Sequence, residues 1–128
     1  MLLAMIKIDK KENKEFLQKS INHLEHTGFE NIKADLDGYE TPKSYLKKGG
    51  DTKITPDIVA VKNGRKYFFD VSLKTEKEKL LKTKWLFLDT ISRLKSNRFK
   101  IITTRGHYKF TDDLLNDLNL SSKTPIKI

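Results

Sequence analysis

Apolar side chains recur at helical spacing in some stretches of the chain and at strand spacing in others, and the two patterns alternate. Leu17, Ile21 and Leu24, joined by Phe16, form a stripe that predicts a first helix. Asp9 with Glu12 is a capping box at its start, and Gly28 fits its stop. Residues 29–36 alternate, with Ile32, Ala34 and Leu36 on one face of a first strand. Residues 56–62 predict a second strand, in which Ile58-Val59-Ala60-Val61 is apolar on both faces. Asn63-Gly64 follows, a strong hairpin signal. Residues 65–74 predict a third strand centred on Tyr67-Phe68-Phe69. Thr75 with Glu78 reads as a second capping box, ahead of a long helix carrying Leu80, Leu81, Trp85, Leu88, Ile91 and Leu94. Residues 99–104 predict a fourth strand, and Thr111 caps a short last helix with Leu114, Leu115 and Leu118.

The predicted order is αβββαβα. Strands apolar on both faces ask for helices on both sides of the sheet. The helical crossover from the third strand to the fourth makes those two parallel. The expected fold is α/β, a three-layer α/β/α sandwich around a mixed four-stranded sheet. One domain spans residues 1–128, with its core at about 9–120. Residues 37–55 hold Gly38, Pro42, Gly49 and Gly50 and are expected to be irregular. Residues 121–128 are expected to be a tail or an edge strand.

The hairpin brings two carboxylates together. A two-residue loop pairs Lys62 with Arg65, and stepping back pairs Ile58 with Phe69, so Asp57 falls opposite Asp70. Opposed Cβ atoms lie about 4.5–5.5 Å apart, where like charges are unfavourable. At an effective dielectric near 20 the repulsion is about 3 kcal/mol. A fold avoids this pairing unless a cation sits between the two acids. Ser72 and Lys74 share the face of Asp70. Thr103, Thr104, Arg105 and His107 are expected at the same end of the sheet. The amino-terminal half of the first helix returns there, offering Glu12 or Glu15 as a third carboxylate. Hard divalent cations take oxygen ligands, and magnesium is commonly held by one or two carboxylates plus substrate phosphate. The expected cofactor is therefore Mg2+ or Mn2+.

Composition sharpens this picture. Lys and Arg number 26 against 17 Asp and Glu, a net charge of +9, which favours a polyanionic partner, nucleic acid before membrane. Lys43, Lys47, Lys48 and Lys53 lead into Asp57, and with Arg105 and His107 they are the expected phosphate-contacting residues. Tyr39 and Tyr45, set among lysines, are positioned either to stack on bases or to pack within the loop. The chain has no cysteine, which excludes disulfide scaffolds, thiolate metal sites and cysteine nucleophiles. No apolar run approaches the roughly 20 residues of a membrane span. The apolar start at residues 1–6 is too short for a signal peptide, so a cytoplasmic protein is expected.

Pro56-Asp57-Ile58-Val59-Ala60, the Asn63-Gly64 turn and Tyr67-Phe68-Phe69-Asp70-Val71 together resemble the metal-binding hairpin of the PD-(D/E)XK nuclease superfamily. They are similar to the hairpin of small nucleases of the Holliday-junction-resolvase type. The element order over about residues 12–104 matches the core of that superfamily, whose fold is called restriction-endonuclease-like. The resemblance implies metal ligation by Asp57, Asp70 and the carbonyl of Val71. It implies a helix-one glutamate at Glu15, with Glu12 as the alternative. Ser72 stands where the family carries its lysine. Lysine migration within the superfamily points to Lys74, about 6.6–6.8 Å further along the same face, as the replacement. The alternative is that Ser72 marks a site that has lost its chemistry.

The expected function is metal-dependent endonucleolytic hydrolysis of DNA, duplex or branched, by a homodimer. The competing reading is a catalytically degenerate nuclease fold that only binds nucleic acid. A third is a structural subunit whose basic face meets an acidic protein. Plainer roles stand beside these. Asp57 and Asp70 would be surface acids paired with lysines, and Glu15 a solvated helix residue. His107 would be a loop histidine, and Trp85 would be core.

Overall fold

The Asn63-Gly64 turn organises the sheet. The computed structural model describes residues 10–46, 53–120 and 123–128, with the described side chains of the first helix beginning at Lys14. The element order is α1 (Lys10–His26), β1 (Glu30–Ala34), β2 (Tyr45–Leu46), β3 (Lys53–Ile54), β4 (Ile58–Lys62), β5 (Arg65–Ser72), α2 (Glu78–Leu94), β6 (Arg98–Thr103), α3 (Tyr108–Asp117) and β7 (Ile126–Lys127). Asn63 and Gly64 both have positive φ, 53° and 76°. That is the turn geometry whose twist matches flanking strands, and Asn-Gly adopts it readily. The register is the expected one, from Lys62 with Arg65 to Ile58 with Phe69.

The sheet is mixed. β1 and β4 are antiparallel, β4 and β5 antiparallel, and β5 and β6 parallel as anticipated from the helical crossover. It has five strands rather than four, in the order β1-β4-β5-β6-β7. The extra strand lies in the segment expected to be a tail or an edge strand. Ile126 packs against the apolar core, and the Ile128 N–H donates to the Thr103 carbonyl at 2.9 Å. That supplies both the burial and the backbone bonds an edge strand needs. The segment expected to be irregular contains a small antiparallel ribbon of β2 and β3.

Side-chain alternation divides the core in two. Ile58, Ala60, Phe69, Val71 and Ile102 face α1, whose Phe16, Leu17, Ile21 and Leu24 are buried. Val59, Phe68, Phe99 and Ile101 face Leu81, Trp85 and Leu88 of α2 and Leu114 and Leu115 of α3. Buried residues of α1 thus cluster with one set of strand positions, and those of α2 and α3 with the other. Helix α1 ends on Gly28, at φ 96°, with Phe29 N–H bonded to Leu24 O and Gly28 N–H to Glu25 O. This is the left-handed stop that glycine permits.

Two helix starts differ from expectation. Helix α2 begins at Glu78 with Lys77 at its cap and no side-chain cap bond. The Thr75 hydroxyl instead accepts from the Lys77 N–H at 3.1 Å, closing a local turn. Thr111 does not cap α3 but lies inside it, buried. The inner face of α2 also differs. Leu80 and Leu94 are exposed, whereas Lys84, Asp89 and Ser92 are buried. Among the described residues, no helix is long and apolar enough to cross a membrane.

Candidate functional site

Asp57 immediately precedes β4, and Asp70 sits near the end of β5. Asp57 shares the alternation of Val59, and Asp70 that of Phe68, so both carboxylates turn toward α2. Facing them is Lys84. Its Nζ lies 3.2 Å from Asp57 Oδ1 and 2.7 Å from Asp70 Oδ1. The cation demanded by two opposed acids is therefore present as a lysine ammonium.

Each carboxylate is held by a second donor. The Val71 N–H donates to Asp57 Oδ2 at 2.9 Å, and Trp85 Nε1–H donates to Asp70 Oδ2 at 2.8 Å. Consecutive residues of α2, Lys84 and Trp85, thus address the two oxygens of Asp70. Asp70 Oδ1 is fully buried and, among the described residues, lies 2.7 Å from the Lys84 ammonium.

Burial raises the Asp70 carboxyl well above the usual carboxylate range. The neighbouring Asp57 charge adds to this, and Lys84 opposes it. Burial acts against the charge on Lys84, but Asp57 and Asp70 together outweigh it and hold the ammonium above the ordinary lysine range. Lys84 in this arrangement keeps its proton, and it is a hydrogen-bond donor and a source of positive charge.

The triad lies in a cleft of about 860 Å3. Lys14 and Gln18 of α1, Asp35, Asp37 and Tyr39 of the segment after β1, and Lys53 of β3 form its upper walls. Pro56, Asp57, Asp70, Val71, Leu81 and Lys84 are also in its lining.

Other expected site residues lie elsewhere. Lys74 is exposed and not among the cleft-lining residues. Its backbone N–H donates to His107 Nδ1 at 2.8 Å, which fixes this segment against the start of α3. The extended strand stops at Ser72, so Lys74 is not carried on along the Asp70 face. Ser72 is buried beneath α3. Its hydroxyl lies 2.7 Å from that of Thr111, which in turn lies 3.0 Å from Thr103 Oγ1 and 2.8 Å from His107 O. The Ser72 hydroxyl is thus engaged with Thr111 of α3. Glu15 is exposed on α1, outside the cleft lining, while Lys14 and Gln18 are the helix residues inside it. The Glu12 side chain, Asp9, Lys47 and Lys48 lie outside the described residues. Among the described residues, no third Asp, Glu, His or Cys completes a metal-ligand group with Asp57 and Asp70.

Among the expected phosphate contacts, Lys53 lines the cleft. Lys43 is exposed and lies over the Tyr45 ring at 5.6 Å, with Lys95 at 5.7 Å from the same ring. Tyr45 is further tilted against Phe68, which makes it a packing residue, whereas Tyr39 reaches the cleft. Arg105 is exposed and His107 half-buried, both in the turn between β6 and α3.

Lys84 was missed by the sequence reading, although its signal was present. It stands three residues after Leu81 and four before Leu88, within the stripe that α2 buries. A lysine on an apolar face calls for a buried anionic partner.

Neither the models of known protein families nor the functionally characterised sequences yield a match to this chain.

Proposed function

We propose that the chain is a metal-dependent endonuclease that hydrolyses DNA phosphodiester bonds. In this reading it has the three-layer restriction-endonuclease-like architecture, and Lys84 takes the role of the family lysine. The observation that carries the reading is the convergence of Asp57, Asp70 and Lys84 on one point of a cleft whose lining also carries Lys14 and Lys53 beside Asp35 and Asp37. The donor chemistry fits a hard divalent cation. Asp70 Oδ1 is a buried carboxylate oxygen that, among the described residues, meets the Lys84 ammonium, and Asp57 Oδ1 faces the same ammonium. Asp57 and Asp70 would hold Mg2+ or Mn2+, with the Val71 carbonyl as a further oxygen ligand. When bound, such an ion lowers the pKa of a water and offsets charge on the phosphoryl group.

The remaining chemistry belongs to the chain. Lys84 carries a positive charge to the scissile phosphate, which strengthens as charge develops there. Lys14 and Lys53 hold the backbone without reading base sequence. Trp85 and the Val71 N–H fix the rotation of the two carboxylates. A homodimer would supply one centre for each strand of a duplex.

The test is cleavage of linear, supercoiled and four-way-junction DNA with Mg2+ or Mn2+. Cutting that stops with chelator and with Asp70→Ala supports the proposal. Salt-sensitive DNA retention without cutting under either ion would favour the binding-only reading. Absence of DNA affinity at low salt would contradict both.

A further inference from the structure

We propose that Lys84 is the resident counter-cation of the Asp57–Asp70 pair, and that a divalent ion enters this site only by displacing its ammonium into the cleft. This rests on the metal-dependent reading and adds an order of events to it.

The inference follows from which oxygens are taken. Asp57 Oδ2 is held by the Val71 N–H and Asp70 Oδ2 by the Trp85 indole. These are scaffold donors that do not move without disturbing β5 or α2. The two oxygens left over are the Oδ1 atoms, and both converge on Lys84 Nζ. An ion bridging the pair through its unclaimed oxygens therefore occupies the place of the ammonium. A divalent cation and an ammonium a few ångströms apart in a buried site repel strongly. The lysine stem is long and unbranched, and Lys84 lines the cleft, so it has a path out. Once released, the charge enters a cleft whose lining carries Lys14 and Lys53 beside Asp35 and Asp37, where a phosphate would lie. The site is thereby closed to phosphate assistance until the ion has arrived.

Removing the competitor strengthens ion binding. The Mn2+ affinity of Lys84→Met and Lys84→Gln, measured by calorimetry on the full chain, is expected to exceed that of the unaltered protein by tenfold or more. The unaltered protein gives an independent readout if these variants fail to fold. Trp85 is the only tryptophan in the sequence, so its indole N–H resonance reports on Asp70. Under Mg2+ titration, that resonance and the Lys84 side-chain ammonium resonance are expected to move with one shared midpoint. A titrating indole with an unmoved ammonium resonance, or Lys84 variants that bind no tighter, would overturn the displacement while leaving metal binding intact. No saturable response to Mg2+ or Mn2+ in any of these proteins would overturn displacement and the metal-dependent reading together.

Discussion

The Trp85 indole donates to Asp70 Oδ2 at 2.8 Å, from the residue next to the lysine that pairs with Asp70 Oδ1. One helical step thus positions a carboxylate at both ends. Trp85→Phe keeps most of the apolar contact but leaves a buried carboxylate oxygen unbonded. A lost hydrogen bond to a charged group is worth about 1.5–3 kcal/mol. Urea unfolding is expected to show a loss of that order, with reduced cleavage. Stability and cleavage both unchanged would show that the indole bond does not hold Asp70.

Lys84→Met removes the cation between two acids. Breaking a buried pair costs about 3–5 kcal/mol, because the partner is left charged and unsolvated. Asp70→Asn in the same chain then removes much of that penalty. The double variant is expected to be more stable than Lys84→Met alone, which a double-mutant cycle in urea reads directly. Additive losses would contradict the coupling.

Asp70 also sets a pH dependence. Its carboxyl titrates well above its ordinary 3.8 in the folded state. Between 3.8 and the folded value, the folded protein binds more protons than the unfolded chain, so this group's contribution to stability falls as pH rises. Asp70→Asn lacks that group. The melting temperature of Asp70→Asn relative to the unaltered protein is therefore expected to climb as pH rises above about 4. A gap that stays flat or closes would place Asp70 in a stabilising ionised state.

Lys53 lines the cleft from the β3 ribbon. Lys53→Gln is expected to weaken DNA binding for all sequences alike. It should also lower the slope of log affinity against log salt by about one unit. A sequence-dependent loss would make Lys53 a base-reading residue.

Much of the sheet was legible because it rests on local chemistry. Asn63 and Gly64 adopt positive φ readily, and that turn alone fixes the β4–β5 register. The same register set Asp57 near Asp70. The edge strand β7 was less legible, since Ile126 pairs with Ile102 through a contact that local pattern does not encode. Lys74 and Lys84 show the limit most clearly. Strand alternation carried forward pointed to Lys74, but β5 ends at Ser72 and the chain turns away. Of the stripe read for α2, Leu81, Trp85 and Leu88 are buried while Leu80 and Leu94 are exposed, and the reading passed over Lys84 among the buried positions. Lys14 and Gln18 reach the cleft through the placement of α1, a tertiary property without a local signature.

The most direct measurement compares Lys84→Met with Lys74→Met in cleavage of supercoiled DNA under saturating Mn2+, each checked for folding by circular dichroism. The account predicts that folded Lys84→Met loses cutting by two orders of magnitude or more, while Lys74→Met stays within a few-fold of the unaltered chain. Full activity in Lys84→Met, or loss confined to Lys74→Met, would contradict it.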